Sequence, residues 1–131
     1  MAIKSIFLDR DGVINHDKNY LFKINDFEFM EGIFDACRQF NNLGFEIIIV
    51  TNQSGISRGY YTEDDYQKIT YWMLNKFMKH SINILDVFHC PHNDNLSCEC
   101  RKPKPGMLLE AKEKYNINMQ KSWMIGDKET D

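Results

Sequence analysis

The chain has 131 residues, 43% apolar and 27% charged, with a formal net charge of −3 at pH 7. A chain of this size and composition forms one domain, residues 1–131, and buries roughly two-thirds of its unfolded surface. The acidic balance offers no basic footprint for nucleic acid, no run reaches the ~18 apolar residues of a membrane span, and Met-Ala-Ile-Lys lacks a secretory signal's apolar core, so the expected location is the cytoplasm.

Ile3 and then Ile6-Phe7-Leu8 make a short apolar run, the pattern of a strand covered on both faces. It breaks into Asp9-Arg10-Asp11-Gly12, two carboxylates one residue apart followed by glycine. Asp-Gly by itself is an ordinary turn signal, but aspartates are poor strand residues and costly to bury unpaired. His16 to Glu28 lacks periodicity and predicts a loop over the carboxylates. From Glu31 to Leu43, Ile33, Phe34, Cys37 and Phe40 recur near helical spacing, with Gly44 placed as a stop. The β-branched stretch Phe45 to Val50 predicts the strongest strand, ending in Thr51-Asn52-Gln53-Ser54-Gly55.

Thr62 and Asp65 have the spacing of a capping box, although Glu or Gln is usual at the second position. The helix they open reaches about His80, with Tyr66, Ile69, Trp72, Met73 and Phe77 facing the core. Ile84 to His89 predicts a third strand. Pro105 suits the first position of a helix through about Tyr115, since its missing N–H costs nothing there. Ser122 to Ile125 predicts a fourth strand, followed by Gly126-Asp127. Strands alternating with helices predict an α/β fold, a Rossmann-like parallel sheet with helices on both faces and no large cap domain. Asp9 and Asp11, Thr51 and Asn52, and Asp127 then all fall at strand C-termini, the sheet edge where ligands bind in open α/β folds.

Three carboxylates, a hydroxyl and a lysine suit phosphoryl transfer. Asp9, Asp11 and Asp127 would hold Mg²⁺, a hard cation that takes oxygen ligands and offsets repulsion between two anions. Asp9 would attack phosphorus, Asp11 would serve as acid and then base, and Thr51 and Lys102 would hold the non-bridging oxygens. A second metal site is readable beside it. Cys90-Pro91-His92 and Cys98-Glu99-Cys100 offer three thiols and an imidazole within eleven residues. In a reducing cytosol that is the Cys₃His set of a closed structural zinc site, within a loop spanning residues 90–104. Such a tie would hold Lys102 in place. Cys37 lies on an apolar helix face and reads as core; His16, His80 and His89 have no partners at ligand or triad spacing and read as structural.

These residues also carry a resemblance. Asp9-x-Asp11-Gly12-Val13, the strand ending in Thr51-Asn52, Lys102, and Gly126-Asp127-x-x-x-Asp131 resemble, in order, the four motifs of the haloacid-dehalogenase (HAD) superfamily of phosphatases. Asp9 to Asn15, Thr51 to Gly59, Cys90 to Met107 and Met124 to Lys128 are similar to its heptose-bisphosphate and histidinol-phosphate phosphatase group. The resemblance implies an aspartyl-phosphate mechanism with Asp9 as nucleophile and Asp11 as acid/base. It implies phosphate binding by Thr51, Asn52 and Lys102, and Mg²⁺ held by Asp9, Asp127 and the main-chain carbonyl of Asp11. Substrate contacts are implied at Arg101, Lys128, Asp17 to Tyr20 and the Ser54-Gly55 turn. The implied substrate is a phosphorylated sugar, most directly heptose 1,7-bisphosphate for the nucleotide-activated heptose of surface lipopolysaccharide, with histidinol phosphate as the alternative. Members of the group continue past the fourth motif, so C-terminal elements are expected to be missing here. The expectation is a monomer at full length, and a marginally stable, weakly active, self-associating chain without those elements.

Overall fold

The computed structural model describes residues 2–92, 102 and 105–126. Four strands, β1 (Ser5–Leu8), β2 (Glu46–Asn52), β3 (Ile84–Cys90) and β4 (Trp123–Ile125), alternate with three helices, α1 (Ile33–Asn42), α2 (Glu63–Lys79) and α3 (Gly106–Tyr115). All strand pairings are parallel, in the order β3-β2-β1-β4. The period-2 alternation of a strand explains the layers. Ile6, Leu8, Ile47 and Ile49 face a core shared with Ile33, Cys37, Ile69, Met73 and Phe77 of α1 and α2. Phe7, Ile48 and Val50 point the other way, against Met107 and Ala111 of α3. Helices therefore cover both faces, as the unbroken apolar runs require.

Helix ends follow local chemistry. Gly32 caps α1 at φ 84°, and Gly44, two residues past its end, sits at φ 88°, both in the left-handed region that glycine enters without strain. At α2, Thr62 Oγ1 accepts from the Asp65 N–H while the Asp65 carboxylate accepts from the Thr62 N–H. Aspartate thus completes a capping box that usually takes a longer acid. Pro105 stands at the N-cap of α3, one position earlier than expected. The loop from residue 16 to 28 contains one 3-10 turn, Ile24–Asp26. Cys37 is fully buried and its thiol is pushed up to about 12 by that burial, which leaves it an inert core residue. Among the described residues no helix is long and apolar enough to cross a membrane.

With the family's C-terminal elements expected to be missing, an open edge and an apolar patch are expected at β4, and there Trp123 is 67% exposed and Ile125 36%. Strand β4 pairs only with β1 among the described residues, so these side chains lack the second neighbour that β2 gives to β1.

Candidate active site

The register sets the site. Leu8 aligns with Ile49 and with Ile125, so Asp9 leaves β1 where β2 runs on through Thr51 and where β4 ends. The Asp9 N–H donates to the Ile125 carbonyl at 3.1 Å. Asp9 itself is buried, its Oδ1 accepting from the Arg10 N–H at 2.8 Å and lying 3.2 Å from Lys102 Nζ. Two buried opposite charges at this distance neutralise one another where water cannot. Lys102 also donates from Nζ to the Val50 carbonyl at 3.3 Å.

Asn52 explains how the lysine gets there. Its Oδ1 accepts from the Lys102 N–H at 3.0 Å and its Nδ2 donates to the Lys102 carbonyl at 3.4 Å. Both ends of the amide therefore bond the backbone of Lys102, and Asn52 acts here as the clamp that seats the lysine. Thr51 Oγ1 accepts from Gln53 Nε2 at 3.0 Å.

Asp11 is caged. Arg10 donates to its Oδ1 from Nε at 3.2 Å and Nη2 at 3.0 Å, and Asn15 Nδ2 donates to the same oxygen at 3.0 Å. Gln53 Nε2 donates to Oδ2 at 3.1 Å. Arg10 is itself 1% exposed and also donates to the Leu21 carbonyl, so it is a strut between β1 and the following loop. Behind Gln53 stands Tyr61, whose hydroxyl donates to Gln53 Oε1. Burial pushes the Tyr61 phenol up to about 12, with Arg10 lowering and Asp11 raising it by smaller amounts, so it remains a donor at ordinary pH.

Among the described residues, the expected substrate contacts fall into two loops that meet through aromatic side chains. Asp17 accepts from the Asn19 N–H, and Asn19 and Tyr20 both sit at positive φ, 53° and 59°, an unusual backbone for residues other than glycine. Tyr20 packs edge-on against Tyr60 at 4.7 Å, and Phe22 stacks on Tyr61 at 5.4 Å. Ser54 and Gly55 open the second loop. Their carbonyls accept from the Arg58 and Tyr60 N–H groups. A Cβ on Gly55 would lie 2.2 Å from Tyr61 Cε1, so close approach to that ring, rather than an unusual φ, demands glycine.

Gln53, Asn15 and Arg10 hold Asp11 and carry no sequence signal for that role, although all three lie within the motif stretches. Tyr61 carried a different signal: the aromatic before an N-cap reads as a staple partner for position 66. His16 pairs with Glu28, His80 stacks on Phe34 and His89 pairs with Glu63, which agrees with structural roles. Cys90 Sγ lies 3.5 Å from His92 Nδ1. Cys90 is disulfide-bonded in the structure, where a zinc-bound thiolate was expected. No cluster of three or more metal-ligating side chains occurs among the described residues. Arg101, Cys98, Cys100, Asp127 and Lys128 lie outside the described residues, as does most of the 90–104 loop.

Residues 4–130 match the family described as Polynucleotide kinase 3 phosphatase. The chain belongs to this phosphatase family. It is 53% identical over its whole length to a D-glycero-alpha-D-manno-heptose-1,7-bisphosphate 7-phosphatase of Campylobacter jejuni, covering 75% of that protein. A D-glycero-beta-D-manno-heptose-1,7-bisphosphate 7-phosphatase of Yersinia pestis is 43% identical over 97% of the chain, which spans 71% of it. The crystal structure of the D,D-heptose 1,7-bisphosphate phosphatase of B. bronchiseptica, complexed with magnesium and phosphate, superposes with a TM-score of 0.90 at 29% identity, over 98% of this chain and 72% of that one. The HAD-like fold expected from the motifs is the fold observed.

Proposed function

We propose that this protein is a Mg²⁺-dependent phosphatase that removes the 7-phosphate of D-glycero-D-manno-heptose 1,7-bisphosphate and leaves the 1-phosphate. The observation that carries this reading is the meeting of Asp9 with Lys102 at 3.2 Å, beside a caged Asp11, at the C-terminal edge of a parallel sheet. A carboxylate of Asp9 forms a bond to phosphorus as the ester P–O bond breaks, and the leaving oxygen takes the proton of the Asp11 carboxyl. Water then attacks the phosphorus, Asp11 takes its proton, and the Asp9–phosphorus bond breaks to release phosphate. Lys102 and Thr51 hold the non-bridging oxygens as charge gathers on them. Asp17, Tyr20, Ser54, Gly55, Arg101 and Lys128 border the sugar.

The donor set at the end of β1 fits Mg²⁺, because the Asp9 carboxylate and the Asp11 carbonyl are hard oxygen ligands, with Asp127 as the third. When bound, the metal supplies charge neutralisation for an anion approaching an anion. Zinc would suit the Cys90 and His92 pair. Tetrahedral Zn–S and Zn–N bonds put sulfur and nitrogen about 3.5 Å apart, and Cys90 Sγ and His92 Nδ1 are 3.5 Å apart. With Cys98 and Cys100 they would supply the four ligands of a closed set, in which reduced thiols replace the disulfide. Metal analysis of protein purified without chelator should then give about one zinc per chain; no zinc, with blocked thiols, would establish the disulfide instead.

The net charge of −3 argues against a polynucleotide substrate, although the family takes its description from one. The higher identity to the α-anomer enzyme, 53% against 43%, favours the α-bisphosphate. We place the reaction in the cytoplasm, in supply of nucleotide-activated heptose for lipopolysaccharide. Phosphate release should be measured on both heptose bisphosphate anomers, histidinol phosphate and a 3′-phosphorylated oligonucleotide. The α-heptose bisphosphate should give the highest kcat/KM; a preference for histidinol phosphate or the oligonucleotide overturns the assignment.

A further inference from the structure

We propose that Tyr61 is a positioning residue for proton transfer, acting on Asp11 through the amide of Gln53. This rests on Asp11 as the proton donor to the leaving oxygen. Gln53 is 3% exposed, and its amide makes three contacts: Oε1 accepts from Tyr61, while Nε2 donates to Asp11 Oδ2 at 3.1 Å and to Thr51 Oγ1 at 3.0 Å. An amide has one donating and one accepting end, and a half-turn about its last torsion exchanges them. The exchanged form would set an oxygen against the Asp11 carboxylate, two acceptors with no proton between them when Asp11 is ionised. The Tyr61 hydroxyl, donating to Oε1, selects the form that steers Asp11. Asn15 holds Oδ1, and Arg10 holds Oδ1 with a longer reach of 3.3 Å to Oδ2, so Gln53 at 3.1 Å is the shorter of the two donors on the second oxygen.

Tyr61 is a suitable anchor because it cannot swing. It is 5% exposed, Phe22 stacks on its ring, and the Gly55 backbone lies against its edge. Its phenol stays protonated at working pH, as burial pushes it to about 12. The same amide reaches Thr51, so one group couples the proton donor to the phosphate-holding hydroxyl.

The test uses leaving groups. An alkyl phosphate needs its departing oxygen protonated, whereas p-nitrophenyl phosphate leaves as a stable anion without a proton. Positioned acid catalysis is worth about 10²–10⁴-fold, and a misaligned acid should lose part of that. With Mg²⁺-loaded full chain, Tyr61→Phe should lower kcat/KM for a sugar phosphate about ten-fold and leave p-nitrophenyl phosphate within about two-fold, with KM little changed. Gln53→Met should lose more on the sugar phosphate than on p-nitrophenyl phosphate, with the smaller loss on the latter due to the lost Gln53 bond to Thr51. Because the effect travels through Gln53, adding Tyr61→Phe to Gln53→Met should cost nothing more. Equal losses on both substrates, or full additivity in the double variant, would overturn the relay and leave Tyr61 a packing residue. Asp11→Asn separates the two levels. If it retains sugar-phosphate turnover, the acid role itself is wrong; if it loses that turnover selectively while Tyr61→Phe matches the parent, only the relay is wrong.

Discussion

Asp9 and Asp11 stand two residues apart and are surrounded in contrasting ways. Asp9, with 11% of its side chain exposed, meets a cation that arrives from the far half of the chain, Lys102. Asp11, 23% exposed, is held on Oδ1 by its neighbours Arg10 and Asn15, and on Oδ2 by Gln53 from β2's end together with a longer bond from Arg10. The difference suits the two tasks. A nucleophile must form a bond and approach phosphorus, so charge balance matters more than a rigid cage. A proton donor and acceptor must keep one orientation through two steps, and three fixed donors provide that.

The largest effect expected from breaking this contrast lies at Asp9. Asp9→Asn should lower turnover by at least about 10⁴-fold, since an amide of the same shape has no anionic oxygen to attack phosphorus. Circular dichroism should show the same helix content as the parent. Turnover within a few-fold of the parent would remove Asp9 from the chemistry.

A smaller effect is expected on the caged side. In Gly55→Ala the new methyl would meet the Tyr61 ring at 2.2 Å, so ring or loop must shift. Overpacking of this kind costs about 1–3 kcal/mol, read as a lower urea midpoint. Activity on a sugar phosphate should fall more than on p-nitrophenyl phosphate, because the shift acts on Asp11 and not on Asp9. An unchanged midpoint would mean that the 53–61 segment yields freely and cannot be pinning Tyr61.

The smallest effect sharpens the comparison with a carboxylate outside the site. Burial would raise the Asp86 carboxyl, but hydrogen bonds from Tyr115, Lys114 and the Val87 N–H together hold it below its ordinary value of 3.8. A carboxyl lowered on folding stabilises the fold above its unfolded value, and the gain is lost as pH falls through the folded value. Asp86→Asn should therefore melt below the parent at pH 7, with the gap closing as pH falls through and below 3.8, and with kcat/KM unchanged. A gap that persists in acid would assign the loss to packing rather than to charge.

Much of this is legible in the amino-acid order. Apolar runs at Ile6 to Leu8 and Ile47 to Val50 demanded two-sided cover, and α1, α2 and α3 supply it. The carboxylates at the end of β1 and the hydroxyl at Thr51 announced themselves because polar groups ending apolar strands need a reason. Local chemistry was legible too, down to the Thr62 and Asp65 cap, since a cap depends on residues three apart.

What sequence could not decide was the set of direct contacts by which the distant groups of the site hold one another. Nothing in its spacing brings Lys102 to Asp9 or uses both ends of Asn52 to seat it. Nor does it separate Tyr61 as a staple from Tyr61 as the anchor of Gln53. Side-chain pairing across the sheet edge is settled by register and loop packing, which involve residues far apart in the chain. The amino-acid order determined the strands, the helices and the chemical kinds of group at the edge. Only the folded sheet decided that Asp9 would face a lysine and Asp11 a cage, because parallel register brings those groups within hydrogen-bonding distance and periodicity does not record it.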